Sequence, residues 1–119
     1  MPQQPFPLNS RAQSARGVGP IKTITGTTYT LTPSDIGRYL RFTNSGAVTF
    51  TIPANVDAPL PVEVNFNIIQ AGAGQVTITA AGGVTLNSAG GLLATAAQFA
   101  VATLVKVAAD EWDVMGNLA

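Results

Sequence analysis

The sequence predicts an all-β fold: a compact antiparallel β-sandwich, jelly-roll-like, with an extended N-terminal arm. Three observations predict it. Apolar residues recur with a period of two along most of the chain, the spacing that turns alternate side chains of a strand to opposite faces. Turn residues interrupt these runs every roughly 8–12 residues, the rhythm of short strands in a sandwich or barrel. The first 20 residues, MPQQPFPLNSRAQSARGVGP, hold four of the eight prolines and follow no period. Proline supplies no donor to a sheet ladder and breaks helices, so this stretch is expected to be extended.

Residues 1–20 therefore form an arm, and residues 21–119 the β-sandwich domain. Phe6 and Leu8 stand out in the arm, because a purely solvating linker has no use for them; they could anchor it to a neighbouring subunit. Ile21 to Ile24 reads as a short first strand, Gly26 as a turn, and Thr27 to Leu31 as a second strand rich in β-formers. Thr32-Pro33-Ser34-Asp35-Ile36-Gly37 is a turn or a single helical turn, with Thr32 as N-cap, Pro33 in the first position and Gly37 as the stop. Arg38 to Asn44 and Ala47 to Ile52 alternate cleanly, and Ser45-Gly46 between them reads as a hairpin turn. Pro53 ends that strand, and Ala54 to Pro61 is a proline-punctuated loop.

The stretch Val62 to Gly83 is the clearest signal. Val62, Val64, Phe66 and Ile68 share one parity and are expected in the core, while Glu63, Asn65, Asn67 and Ile69 share the other. Gln70 to Gly74 (QAGAG) breaks the pattern, and Gln75 to Thr79 resumes it. Two alternating runs joined by a short glycine-containing loop predict a β-hairpin. Val84 to Leu86 is a short strand, Asn87 to Gly91 a loop, and Leu92 to Gln98 either a short helix or a sheet-edge crossing. Phe99 to Val107 is apolar on both faces, which fits a strand that is central or lies under a second layer. Glu111 to Gly116 closes the domain, with Trp112 and Val114 on one face.

Composition narrows the function. Charged residues make up only 10% of the chain and the net charge is zero, against about 25% charged in ordinary soluble domains. Low charge with many β-branched residues suits a β-protein whose surfaces are partly covered by other chains. A neutral total gives no electrostatic footprint for nucleic acid or an anionic membrane. There is no run of about 18 apolar residues to span a membrane and no secretory signal, so a soluble product of the cytoplasm is expected. With no cysteine and no histidine, disulfides, thiolate metal sites and Ser/His or Cys/His catalysis are excluded. Asp110, Glu111 and Asp113 are the one acidic cluster, and their place at a turn reads as solvated charge rather than a cation loop. Gly72 and Gly74 precede a strand, whereas a phosphate-cradling loop precedes a helix. Tyr39 and Arg41 share a strand face, a thin basis for stacking on a nucleic-acid strand. No enzyme and no cofactor are expected.

The order of residues resembles a β-module of tailed-bacteriophage virion proteins, found in tail and head fibres and in small capsid-associated proteins. The resemblance rests on Tyr29-x-Leu31, Asp35-x-Gly37-Arg38-Tyr39, Arg41-Phe42-x-Asn44 and Ile52-Pro53. It continues through Gln70-Ala71-Gly72-x-Gly74, Asn87-x-x-Gly90-Gly91 and Trp112-x-x-x-Gly116, spanning residues 26–119. It implies a structural virion protein that works as a homotrimer and carries no catalytic residues. The chain departs from the fibre form: it has no repetitive shaft and no coiled-coil heptads before the domain. A proline-rich arm on a compact trimeric domain suits a capsid decoration (cement) protein on the capsid exterior, made in the bacterial cytoplasm, with the phage major capsid protein as partner. Pro5, Phe6, Leu8, Arg11 and Arg16 would then carry docking, the apolar pair as anchors and the arginines against acidic capsid patches. Asn65, Asn67 and Ile69, or the uncharged face of Thr77 and Thr79, would lie at or near the trimer axis. The alternative is a fibre module that attaches by its arm and binds a host surface or carbohydrate.

Overall fold

Period-two alternation becomes nine strands in the computed structural model, which describes residues 20–119. They are β1 (Ile21–Ile24), β2 (Thr28–Thr30), β3 (Tyr39–Phe42), β4 (Val48–Ile52), β5 (Asn65–Gln70), β6 (Val76–Ala80), β7 (Thr85–Asn87), β8 (Val101–Ala108) and β9 (Glu111–Gly116). Two single 3-10 turns accompany them, Pro33–Asp35 and Ala89–Gly91. Thr32 and Pro33 do open the first of these as expected, with the Thr32 amide donating to Asp35 Oδ2 at 2.9 Å. The segment Leu92 to Gln98 forms no helix; it touches the sheets through isolated bridges, Thr77 to Ala94 and Thr95 to Leu118.

The strands divide between a six-stranded sheet, in the order β1-β3-β5-β8-β9-β7, and a three-stranded sheet, β2-β4-β6. The chain crosses from one sheet to the other after β1, β3 and β5. Strands arriving from successive crossings stack in parallel, with Ile21 beside Tyr39 beside Asn67 in one sheet and Thr28 beside Thr49 beside Thr77 in the other. Each of the pairs β1–β2, β3–β4 and β5–β6 is thus one rung of a short parallel solenoid. β8 and β9 then close the large sheet antiparallel, and β7 pairs in parallel with β9.

This corrects the antiparallel, jelly-roll-like expectation: five of the seven strand pairings are parallel. Val62 to Gly83 is not a hairpin, because β5 and β6 belong to different sheets. The same holds for β3 and β4, so Ser45-Gly46 is not a hairpin turn. In each case the chain makes an arch, turning out of one sheet and into the one facing it. Alternation looks identical in an arch and a hairpin, since both need one apolar parity per strand. The close packing of successive arches is what separates them. A Cβ on Gly72 would lie 2.4 Å from the carbonyl oxygens of Thr43 and Asn44, and one on Gly74 1.8 Å from that of Gly46. The QAGAG arch therefore rests backbone to backbone on the arch of the preceding rung. Ala71 and Gly72 amides donate to Phe42 O, and the Gly74 amide to Asn44 O at 3.1 Å.

The core lies between the sheets. Leu40, Phe42, Phe66, Ile68, Leu104 and Trp112 from the large sheet meet Val48, Phe50, Ile52, Val76 and Ile78 from the small one, all buried. Aromatic rings run through it in sequence, Phe42 to Phe50 at 5.3 Å, Phe50 to Phe66 at 5.9 Å and Phe66 to Trp112 at 5.6 Å between centroids. Burying each such side chain contributes about 1.5–3 kcal/mol. Val64 is half-buried against this core, but Val62 is exposed, contrary to the period. Glu63 takes a positive φ of 79°, which breaks the run before β5 begins.

Candidate functional site

Several of the residues that carry the resemblance can be followed into local structure, where they hold this chain together. At the first rung, Asp35 is buried and its Oδ2 accepts from Tyr29 Oη at 2.6 Å, from the Thr32 amide and from Thr32 Oγ1. Lys22 Nζ donates to Tyr29 Oη at 2.7 Å and pairs with Asp35 Oδ1 at 3.4 Å. Burial works against the Asp35 carboxylate, yet the combined hydrogen bonds from Tyr29 and Thr32 and the Lys22 charge hold it below the usual carboxylate range. The hydrogen bond to Tyr29, reinforced by the Asp35 charge, raises Lys22. Every polar atom of this trio is spent on its neighbours, so it ties β1, β2 and the first turn together.

At the arches, Asn44 donates from Nδ2 to Thr25 O at 2.8 Å and accepts the Gly46 amide on Oδ1 at 2.7 Å, linking the first two rungs. Gln70 is buried; its Nε2 reaches Gly72 O and Ala73 O, and its Oε1 accepts from Thr95 Oγ1. Thr95 Oγ1 in turn accepts the Val76 amide at 2.9 Å. A buried amide side chain thus satisfies the carbonyls that the glycine arch turns inward. At the closing hairpin, Asn87 Nδ2 bridges Glu111 Oε2 at 2.7 Å and Asp113 Oδ1 at 3.0 Å. A Cβ on Gly116 would meet Val101 O at 2.3 Å.

The acidic trio does not converge. Asp110 turns away to accept the Asn55 amide at 2.7 Å, and among the described residues no group of three metal-ligating side chains forms. Lys106, which the sequence reading passed over, is buried in the core end: Nζ donates to Asn55 Oδ1 at 2.6 Å and Leu60 O at 2.9 Å and sits 5.9 Å from the Trp112 ring. Burial lowers its pKa, with the Asp110 charge opposing. Lys106 and Asp110 together pin the proline-rich loop over the core.

What remains for partners is the outer face of each sheet. The small sheet presents threonine alone on its regular outward positions: Thr28, Thr49 and Thr77 in one row, Thr30, Thr51 and Thr79 in the next. The tripeptides TYT, TFT and TIT were the available signal for this array, and only Thr77 and Thr79 had been singled out. The large sheet presents Tyr39 and Arg41, Asn65, Asn67 and Ile69, Val101, Thr103 and Val105, and Asp113 and Met115. Thr103 Oγ1 donates to Asn67 Oδ1 at 2.6 Å near its middle. Asn65, Asn67 and Ile69 are therefore together, with Ile69 already buried, whereas Thr77 and Thr79 lie on the opposite side of the body. Phe99 also escaped the period: it is exposed, and its φ is 71°. The proposed arm residues Pro5, Phe6, Leu8, Arg11 and Arg16 lie outside the described residues. No described helix is long and apolar enough to cross a membrane. No family model and no curated protein matches the chain.

Proposed function

We propose that the chain is a capsid decoration protein of a tailed bacteriophage. In this account a trimeric, sandwich-like β-domain sits on the capsid exterior and grips the major capsid protein through an extended N-terminal arm. The observation that carries it is the motif series from Tyr29 to Gly116, the features that resemble the virion module, several of which brace a low-charge β-body. A scaffold of that kind suits a part whose work is to bind and brace. Pro20, the first described residue, leads into β1, the outermost described strand of the large sheet, and its carbonyl accepts the Tyr39 amide. An arm leaving from a sheet edge can reach a neighbour without crossing the core.

Three arms on one trimer raise weak individual contacts by avidity, by roughly 10²–10⁴ when the geometry lets all three engage. Deleting residues 2–18 should leave the thermal unfolding transition in place and abolish binding to capsids. Full occupancy of capsids by the truncated protein would refute the arm's role.

A further inference from the structure

The outer face of the six-stranded sheet carries two opposite charges that its own chain cannot bring together. Arg41 on β3 and Asp113 on β9 stand three strand spacings apart across the sheet and four residues apart along it, about 20 Å in all. Among the described residues the Arg41 side chain makes no hydrogen bond or ion pair. On the other side Asp113 and Glu111 share the single amide of Asn87, with no cation bridging them among the described residues. Between the charges the face is neutral, with Val101 and Met115 left exposed. β8 is central in its sheet, yet among the described strands no second layer covers its outward side.

Phe99 adds an independent observation. It stands at the start of β8, 62% exposed, in a backbone conformation that bulky residues rarely adopt. Backbone strain of this kind clusters at sites of function, ligand clamps and switches.

We propose that this face is the self-association surface of the trimer, its occupant a second copy of this chain, so that the inference rests on the trimeric part of the functional account. At a three-fold axis each copy meets two neighbours with different halves of one face, a heterologous contact. The Arg41 half of one copy then meets the Glu111–Asp113 half of the next, and Phe99 packs at the margin of each contact.

Sedimentation equilibrium on the full-length protein tests it. Wild type is expected to be trimeric at micromolar concentration. Arg41→Glu and Asp113→Arg should each weaken assembly by about tenfold or more, and the double reversal should restore it to within about threefold. Phe99→Gly relieves the backbone while removing the ring, so the subunit should melt no lower and assemble more weakly; a lower melting temperature would mark Phe99 as a structural residue only. Trimers unaffected by the single reversals overturn the proposal, as does a dimeric wild type. A monomeric wild type overturns it in favour of cover by residues 1–19 of the same chain. Trimers that respond as expected but ignore capsids would leave the interface standing and refute the decoration role alone.

Discussion

Asp35 shows how much one side chain can hold in a chain of so few charges. Its folded pKa is lowered from 3.8, so its contribution to stability is present above that value and is lost as pH falls through the folded pKa. Asp35→Asn should destabilise by about 2 kcal/mol at neutral pH, and the gap to wild type should narrow as the pH falls below 3.8. Urea titrations of both proteins across that range would show it; a gap independent of pH would mean the charge is idle. Lys106 has the same sign in an alkaline window, but for the opposite reason, since here the fold penalises the charged form. Its pKa is lowered by burial, so the folded ammonium is disfavoured and stability from this site rises as pH climbs towards 10.5. Thr32-Pro33 announced the turn that Asp35 closes, but nothing in the sequence marked the positive φ of Phe99 or the inward turn of Lys106, because both depend on what neighbouring rungs leave open.

At the scale of elements, strand positions were legible and their partners were not. Ile21–Ile24 and Glu111–Gly116 fall where alternation put them, and the others agree within a few residues. Parallel stacking was hidden because an arch and a hairpin present the same apolar parity. The glycines held the answer in a form that only the neighbouring rung reveals. Gly74→Ala should destabilise by more than about 4 kcal/mol or prevent folding, since its Cβ would overlap the Gly46 carbonyl. Gly82→Ala, with open space around it and no positive φ, should change stability by less than about 1 kcal/mol. Equal effects of the two substitutions in a thermal melt would contradict the stacked-arch packing. Phe66→Ala, at the centre of the aromatic series, should cost about 3–5 kcal/mol.

At the scale of the whole molecule, the low charge takes the form of two sheet faces, one with threonine on its regular outward positions and one neutral between separated charges. Among the described residues, β1 and β2 are the outermost strands at the first-rung end of the stack. Strand edges of this kind are sites where a further strand or a partner can add. Asn65, Asn67, Ile69, Thr77 and Thr79 were legible only as uncharged residues on strand faces, because which residues share a face is defined by register across strands distant in sequence. The most direct measurement is to attach a visible label to the C-terminus and image intact phage particles by negative-stain electron microscopy. The account predicts label spread over the whole capsid shell; label confined to one vertex or to the tail would contradict it and favour a fibre module.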